Sequence, residues 1–141
     1  MLFSEQKPDM RLINPLTLAF VGDGVYEMLV REEIVRRHIS LSAKKLHALT
    51  VEMVRATAQC RGYELIAPHL TEEETSIFKR GRNSNGITAP KHTSVAQYRV
   101  ATGLEALFGW LYLSGESERI RELFQIILDG EEYAEQQPVQ L

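Results

Sequence analysis

Hydrophobic residues recur along this chain at intervals of three and four, the spacing of one helix face, and nowhere alternate long enough to suggest a strand. The pattern opens at Asn14-Pro15, where Asn supplies a cap and Pro sits at the first helical position, whose N–H has no partner in any case. A helix is expected from there to about Arg37, with Leu16, Phe20, Leu29 and Ile34 among its core candidates. Ser42 caps a second helix, in which Leu46, Leu49, Met53, Ala56 and Cys60 keep the helical spacing. Gly62 and Pro68 then interrupt the pattern and leave a shorter helical piece around Tyr63 to Ala67. Thr71 and Glu74 make a capping box for another short helix that ends at Gly81. The segment from Gly81 to Thr93, rich in Gly, Asn, Ser and Pro, reads as a loop. A long helix is expected from about Ser94 to Leu113, and Ser117 caps the last, Glu118 to about Asp129, with Gly130 as its stop. The expected fold is all-α, a single domain over residues 1–141 with flexible ends at 1–11 and 131–141.

At 141 residues such a domain can bury enough apolar surface to fold without staples. The single cysteine, Cys60, allows no internal disulfide, so a reducing, cytoplasmic setting is expected. No apolar run is long enough to span a membrane, and the N-terminal residues lack the basic flank and apolar core of a signal peptide. A soluble protein with no membrane partner is expected. The net charge of −3 argues against nucleic acid when taken as an average, but its distribution changes the picture. From Lys79 to His92 there are four Lys or Arg and no acid, while the acids gather at Glu72-Glu73-Glu74 and between Asp129 and Glu135. No Gly-rich phosphate loop ending in Lys-Ser/Thr occurs, so nucleotide-driven chemistry has no support. His38, His47, His69 and His92 lack the two-His spacing of a zinc helix and read as surface or capping residues. Cys60 reads as an apolar filler, and Trp110 and Tyr112 as core or interface.

Two acids stand out against this background. Asp23 and Glu27 are the only charges between Leu12 and Val30, and Glu105 is the only one between Val100 and Gly115. These are the most apolar helices, expected at the centre of the fold, where a carboxylate is costly unless it is paired or coordinates a metal. Gly22 and Gly24 bracket Asp23 although each costs a helix about 1 kcal/mol relative to Ala, which suggests close approach to the backbone. Thr102 and Gly109 lie one turn to either side of Glu105. If the two helices pack antiparallel, Asp23 and Glu105 converge as hard oxygen ligands suited to magnesium. The alternative is that either acid pairs with a distant arginine, such as Arg55 or Arg99, for structure alone.

Phe20-Val21-Gly22-Asp23-Gly24-Val25 resembles the first signature of the ribonuclease III family, which carries a catalytic aspartate. Leu104-Glu105-Ala106-Leu107-Phe108-Gly109, followed by Tyr112-Leu113, resembles the second. The Lys79-Arg80-Gly81-Arg82-Asn83 segment is similar to a basic motif of the compact bacterial branch that lacks a double-stranded RNA-binding domain. The resemblance runs from about Asn14 to Asp129 and implies a ribonuclease III-type helical endonuclease domain. It implies a homodimer that cuts double-stranded RNA with Mg2+, or Mn2+ as a substitute, leaving 5′-phosphate and 3′-hydroxyl ends. It also implies maturation of 23S ribosomal RNA precursor as the task. Asp23 and Glu105 carry over as the catalytic, metal-binding acids, with Glu27 and Thr102 as candidates to support them. Three further acidic positions of typical members are Leu16, Ala19 and Thr102 here, so only two acids carry over. Lys79, Arg80, Arg82, Asn83, Asn85 and Lys91 are the RNA-binding candidates, because duplex RNA is read by its phosphates and 2′-hydroxyls rather than base edges.

Two competing functions remain at this point. The lost acids fit a non-catalytic module that binds RNA or protein. A metal-dependent nucleotide pyrophosphatase would want clustered acids at helical spacing, for which Glu72-Glu73-Glu74 is the one candidate.

Overall fold

A computed structural model describes Leu2 and residues 4–136. Among these residues it holds six helices and no strand: α1 (Pro15–Arg37), α2 (Ala43–Val54), α3 (Ala56–Ile66), α4 (Glu72–Arg82), α5 (Val95–Leu113) and α6 (Ser117–Gln136). Short 3-10 turns at Met10–Leu12 and Ala67–His69 complete the order. Three expected caps form, at Asn14, Ser42 and Thr71, whereas Ser117, expected to cap the last helix, is its first residue. Asn14 accepts from Thr17 N, Ser42 from Lys45 N and Ser94 from Gln97 N, each satisfying an otherwise orphaned donor. Thr71 and Glu74 form the reciprocal capping box of α4.

Helix α5 runs through the middle. From Ala101 to Leu111 every residue except Glu105 and Trp110 is buried, as a helix apolar on all sides must be. Helices α1, α3, α4 and α6 pack around it. Leu104, Leu107, Phe108 and Leu111 form the main core with Tyr26, Val30 and Ile34 of α1, Ile66 of α3, and Ile120, Leu123, Phe124 and Ile127 of α6. Each such side chain contributes on the order of 2 kcal/mol by leaving water. Tyr26 meets Phe108 and Phe124 edge-on, with ring centroids 5.4 and 5.7 Å apart.

Small residues let α5 be gripped closely. A Cβ on Gly81 would lie 2.7 Å from Ala106 Cβ, and one on Gly103 would lie 2.7 Å from the Phe78 ring. Phe78 is fully buried and stacks on Tyr63 at 3.7 Å. Helix α4 is also tied to α6, where the Arg119 guanidinium donates 2.8 Å bonds to both oxygens of the buried Glu74 carboxylate.

Four further local expectations are corrected. The break in the second helical region falls at Arg55, whose extended backbone ends α2 and starts α3, and Gly62 lies inside α3. A Cβ on Gly62 would meet Ile127 and the Tyr26 hydroxyl at 3.4 Å, an ordinary packing contact. Gly130 does not stop α6, which continues to Gln136; its missing side chain makes room for Leu65. Residues 137–141 of the expected frayed tail lie outside the described residues. Phe20 is not in the core but 80% exposed, on a cleft that it lines with Tyr98, Thr102 and Glu105 of α5.

Candidate active site

The site is made by the crossing of α1 and α5. A Cβ on Gly22 would fall 1.6 Å from Glu105 O, and one on Gly109 would fall 1.9 Å from Leu18 O. The two backbones are therefore in contact, and only glycine fits at either position. Gly22 meets residues 105 and 109 while Leu18 meets 109, so the helices cross in the antiparallel sense. This contact places Asp23, next in sequence to Gly22, beside Glu105. Gly24 has nothing within 4 Å of a Cβ; it faces open space, and the close approach expected of both glycines belongs to Gly22 alone.

Asp23 and Glu105 line one cleft of about 530 Å³, together with Gln59, Thr102 and the loop residues Gly86, Ile87 and Thr88. The expectation that both acids are buried holds only in part, since Asp23 is exposed and Glu105 half-buried. Desolvation pushes the Glu105 carboxyl up to about 9, helped by a hydrogen bond to Asp23 and by the Asp23 charge. Neither acid has, among the described residues, the arginine partner that a purely structural role requires. Arg55 pairs with Glu52 at 3.2 Å, and Arg99 donates to the carbonyls of Arg82 and Ser84 at 3.1 Å.

The supporting candidates separate. Thr102 lines the cleft and donates its hydroxyl proton to Tyr98 O at 2.9 Å. Glu27 does not line it and faces Arg31 at 3.6 Å along α1. Gln59, which sequence reasoning missed, is 4% exposed in the cleft wall. Its only signal was a polar amide at a helical position flanked by the small, apolar Ala58 and Cys60.

A negatively charged cleft with oxygen donors and no cationic side chain in its described lining fits a hard divalent cation, which takes oxygen ligands and retains water. Among the described residues no cluster of three or more His, Cys, Asp or Glu exists, so the pair would supply all the carboxylate ligands. The acids at Glu72-Glu73-Glu74 form no such site, since Glu74 is committed to Arg119 and the capping box.

The basic candidates lie on α4 and the loop after it. Lys79, Arg80 and Asn83 line a separate open groove of about 700 Å³ with Pro15 and Leu70. Asn85 and Lys91 are exposed on the loop. Arg82 is half-buried, its guanidinium 5.5 Å from the Phe78 ring centre and its Nε donating to Asn83 Oδ1 at 3.0 Å. Arg82 therefore also braces the helix end. Arg99, by holding Arg82 O and Ser84 O, pins the start of the loop that borders the acidic cleft.

Comparison with known proteins gives a consistent answer. The model of the ribonuclease III domain matches residues 16–116. The chain is 41% identical over 123 residues to a Mini-ribonuclease 3 of Clostridium tetani, covering 87% of this chain and 82% of that one. It is 43% identical over 125 residues to a Mini-ribonuclease 3 of Symbiobacterium thermophilum, covering 85% and 95%. A crystal structure of a Fusobacterium nucleatum protein superposes with a TM-score of 0.78 at 33% identity, covering 86% of this chain and 98% of that one.

Proposed function

Given that this chain belongs to the ribonuclease III family and is an endoribonuclease of double-stranded RNA, we propose that it cuts its substrate with magnesium held by Asp23 and Glu105. The observation that carries the reading is the placement of these two carboxylates side by side, across a helix contact that only glycines permit, with no arginine or lysine among the described cleft residues to neutralise them. When bound, the cation would neutralise the scissile phosphate and activate water, with manganese as a substitute. The chain's own residues fix where this happens. Glu105 is held on the most buried helix, Asp23 is exposed in the cleft, and the loop through Gly86 to Thr88 walls it.

Lys79, Arg80 and Lys91 would contact RNA phosphates, with Asn83 and Asn85 reaching 2′-hydroxyls and Arg82 bracing the helix end between them. The products would carry 5′-phosphate and 3′-hydroxyl ends, and 23S ribosomal RNA precursor is the proposed substrate. Cutting both strands needs two such clefts, hence a homodimer. Helix α5 is buried within the monomer, so α1 is the helix available for the interface. It leaves Met28 60% exposed in an apolar groove with Val21, Gly24, Val25 and Leu29, a face suited to an isologous contact.

The test is cleavage of a long RNA duplex by purified protein, with single-stranded RNA and EDTA as controls. Duplex is expected to be cut with magnesium, and neither with EDTA nor by the Asp23→Asn or Glu105→Gln variant. Duplex bound but left intact by folded wild-type protein would favour the non-catalytic module; cleavage persisting in either variant would remove the acids from the reaction.

A further inference from the structure

Resting on the reading of Asp23 and Glu105 as the cation site, we propose that Gln59 is a positioning residue for the hydrated cation. Its Oε1 would accept a hydrogen bond from a water in the ion's shell and so help set where the ion sits.

The orientation of the Gln59 amide is decided by its partner. Its Nε2 donates at 2.7 Å to the carbonyl of Val54, the last residue of α2. A carbonyl can only accept, so the NH2 must face Val54 and Oε1 must point the other way. Oε1 is buried and accepts no hydrogen bond from any described residue. Buried amide oxygens are nearly always satisfied, so a partner that the protein itself does not provide belongs there. Gln59 lines the same cleft as Asp23 and Glu105, so that unpaired acceptor belongs to a residue in the wall of the proposed cation site.

Thr102 has the same polarity. Its one hydroxyl proton is spent on Tyr98 O, so it can offer only lone pairs to the cleft. The wall therefore presents two carboxylates and two committed acceptors. Water in the shell of a divalent cation is a strong donor, and an ion held by only two carboxylates keeps several such waters. Acceptors with no proton to offer match that shell. Partners one step removed from the metal hold its ligands in place and commonly contribute 10–100-fold to affinity.

The experiment measures Mn2+ binding by calorimetry without RNA, alongside thermal melting, in wild type and four variants. Asp23→Asn and Glu105→Gln are expected to lose binding. Gln59→Leu removes both the acceptor and the bond to Val54, and is expected to raise the Mn2+ Kd about tenfold. Gln59→Glu loses the N–H to Val54 but keeps an acceptor oxygen, so it is expected to melt lower than wild type yet bind Mn2+ at least as tightly. In cleavage assays Gln59→Leu should need about tenfold more Mg2+ for half-maximal rate, with the maximal rate largely recovered at saturation. Should Gln59→Leu fail to fold, Gln59→Glu carries the test, and weaker Mn2+ binding by it overturns the proposal. Wild-type affinity in Gln59→Leu, with binding lost in the acid variants, would reduce Gln59 to a cap of α2. Wild-type affinity in the acid variants as well would overturn the cation site itself.

Discussion

Glu105 sits on a helix whose other neighbours are almost all apolar, and its ionisation works against the metal-free fold. Burial and the adjacent Asp23 raise its carboxyl from 4.5 to about 9, so between these values the folded protein keeps a proton that the unfolded chain releases. Stability from this group is full below pH 4.5 and is lost as pH rises toward about 9. Glu105→Gln is therefore expected to raise the metal-free melting temperature at pH 8 while abolishing cleavage, and to flatten the fall of stability with pH. Melts from pH 5 to about 9 in EDTA check this; a destabilised Glu105→Gln would mean that the carboxylate has a cationic partner. A cation displaces the same proton, so its affinity should rise over the same interval. At this scale the acids were legible because charge is conspicuous in an apolar run. Gln59 was not, since one buried amide looks like any other until its partners are known.

The α1–α5 crossing shows what a single methyl decides between elements. Gly22→Ala would drive a carbon into the Glu105 carbonyl, forcing the helices apart and misplacing both acids. It is expected to cost about 3 kcal/mol or more and to remove activity with it. Gly24→Ala meets nothing within 4 Å and gains helix propensity, so it should stabilise the isolated domain by about 1 kcal/mol. Urea titrations of the two variants should move in opposite directions; equal shifts would refute the close crossing. The sequence marks both glycines alike, and only the packed neighbour tells them apart. The α2–α3 break at Arg55 is illegible for a related reason, because no Gly or Pro marks it and it is held by the Gln59 side chain on Val54. Gly62 and Gly130 misled because each lies inside its helix, and at Gly130 the missing side chain makes room for Leu65.

For the whole molecule, the exposed face of α1 and the basic face of α4 point to different partners. Met28→Asp places a charge on the apolar face, away from the acidic cleft, and is expected to yield a folded monomer by light scattering with cleavage greatly reduced. An unchanged dimer would move the interface elsewhere. Lys79→Ala with Arg80→Ala should weaken duplex binding and lower the salt slope by about 2, since each phosphate left without its cation keeps its own counterion. The slope of log affinity against log salt is the measurement, and an unchanged slope would exclude these residues from the RNA surface. No described helix is long and apolar enough to cross a membrane.

The chain itself determined the helices, most of their caps and the two acids worth noticing, because periodicity, capping chemistry and an isolated charge are local properties of the order of residues. It also carried the family resemblance that the ribonuclease III domain match bears out. Which glycine touches a helix, which aromatic faces solvent and which acid is buried were decided only in the folded molecule. Each depends on the neighbour that tertiary packing brings up. Phe20 obeys the same spacing as a core residue, yet the α1–α5 contact is made at Gly22 and leaves Phe20 80% exposed on the cleft. Asp23 and Glu105 are 82 residues apart in the chain, and what brings them together is the backbone contact at Gly22.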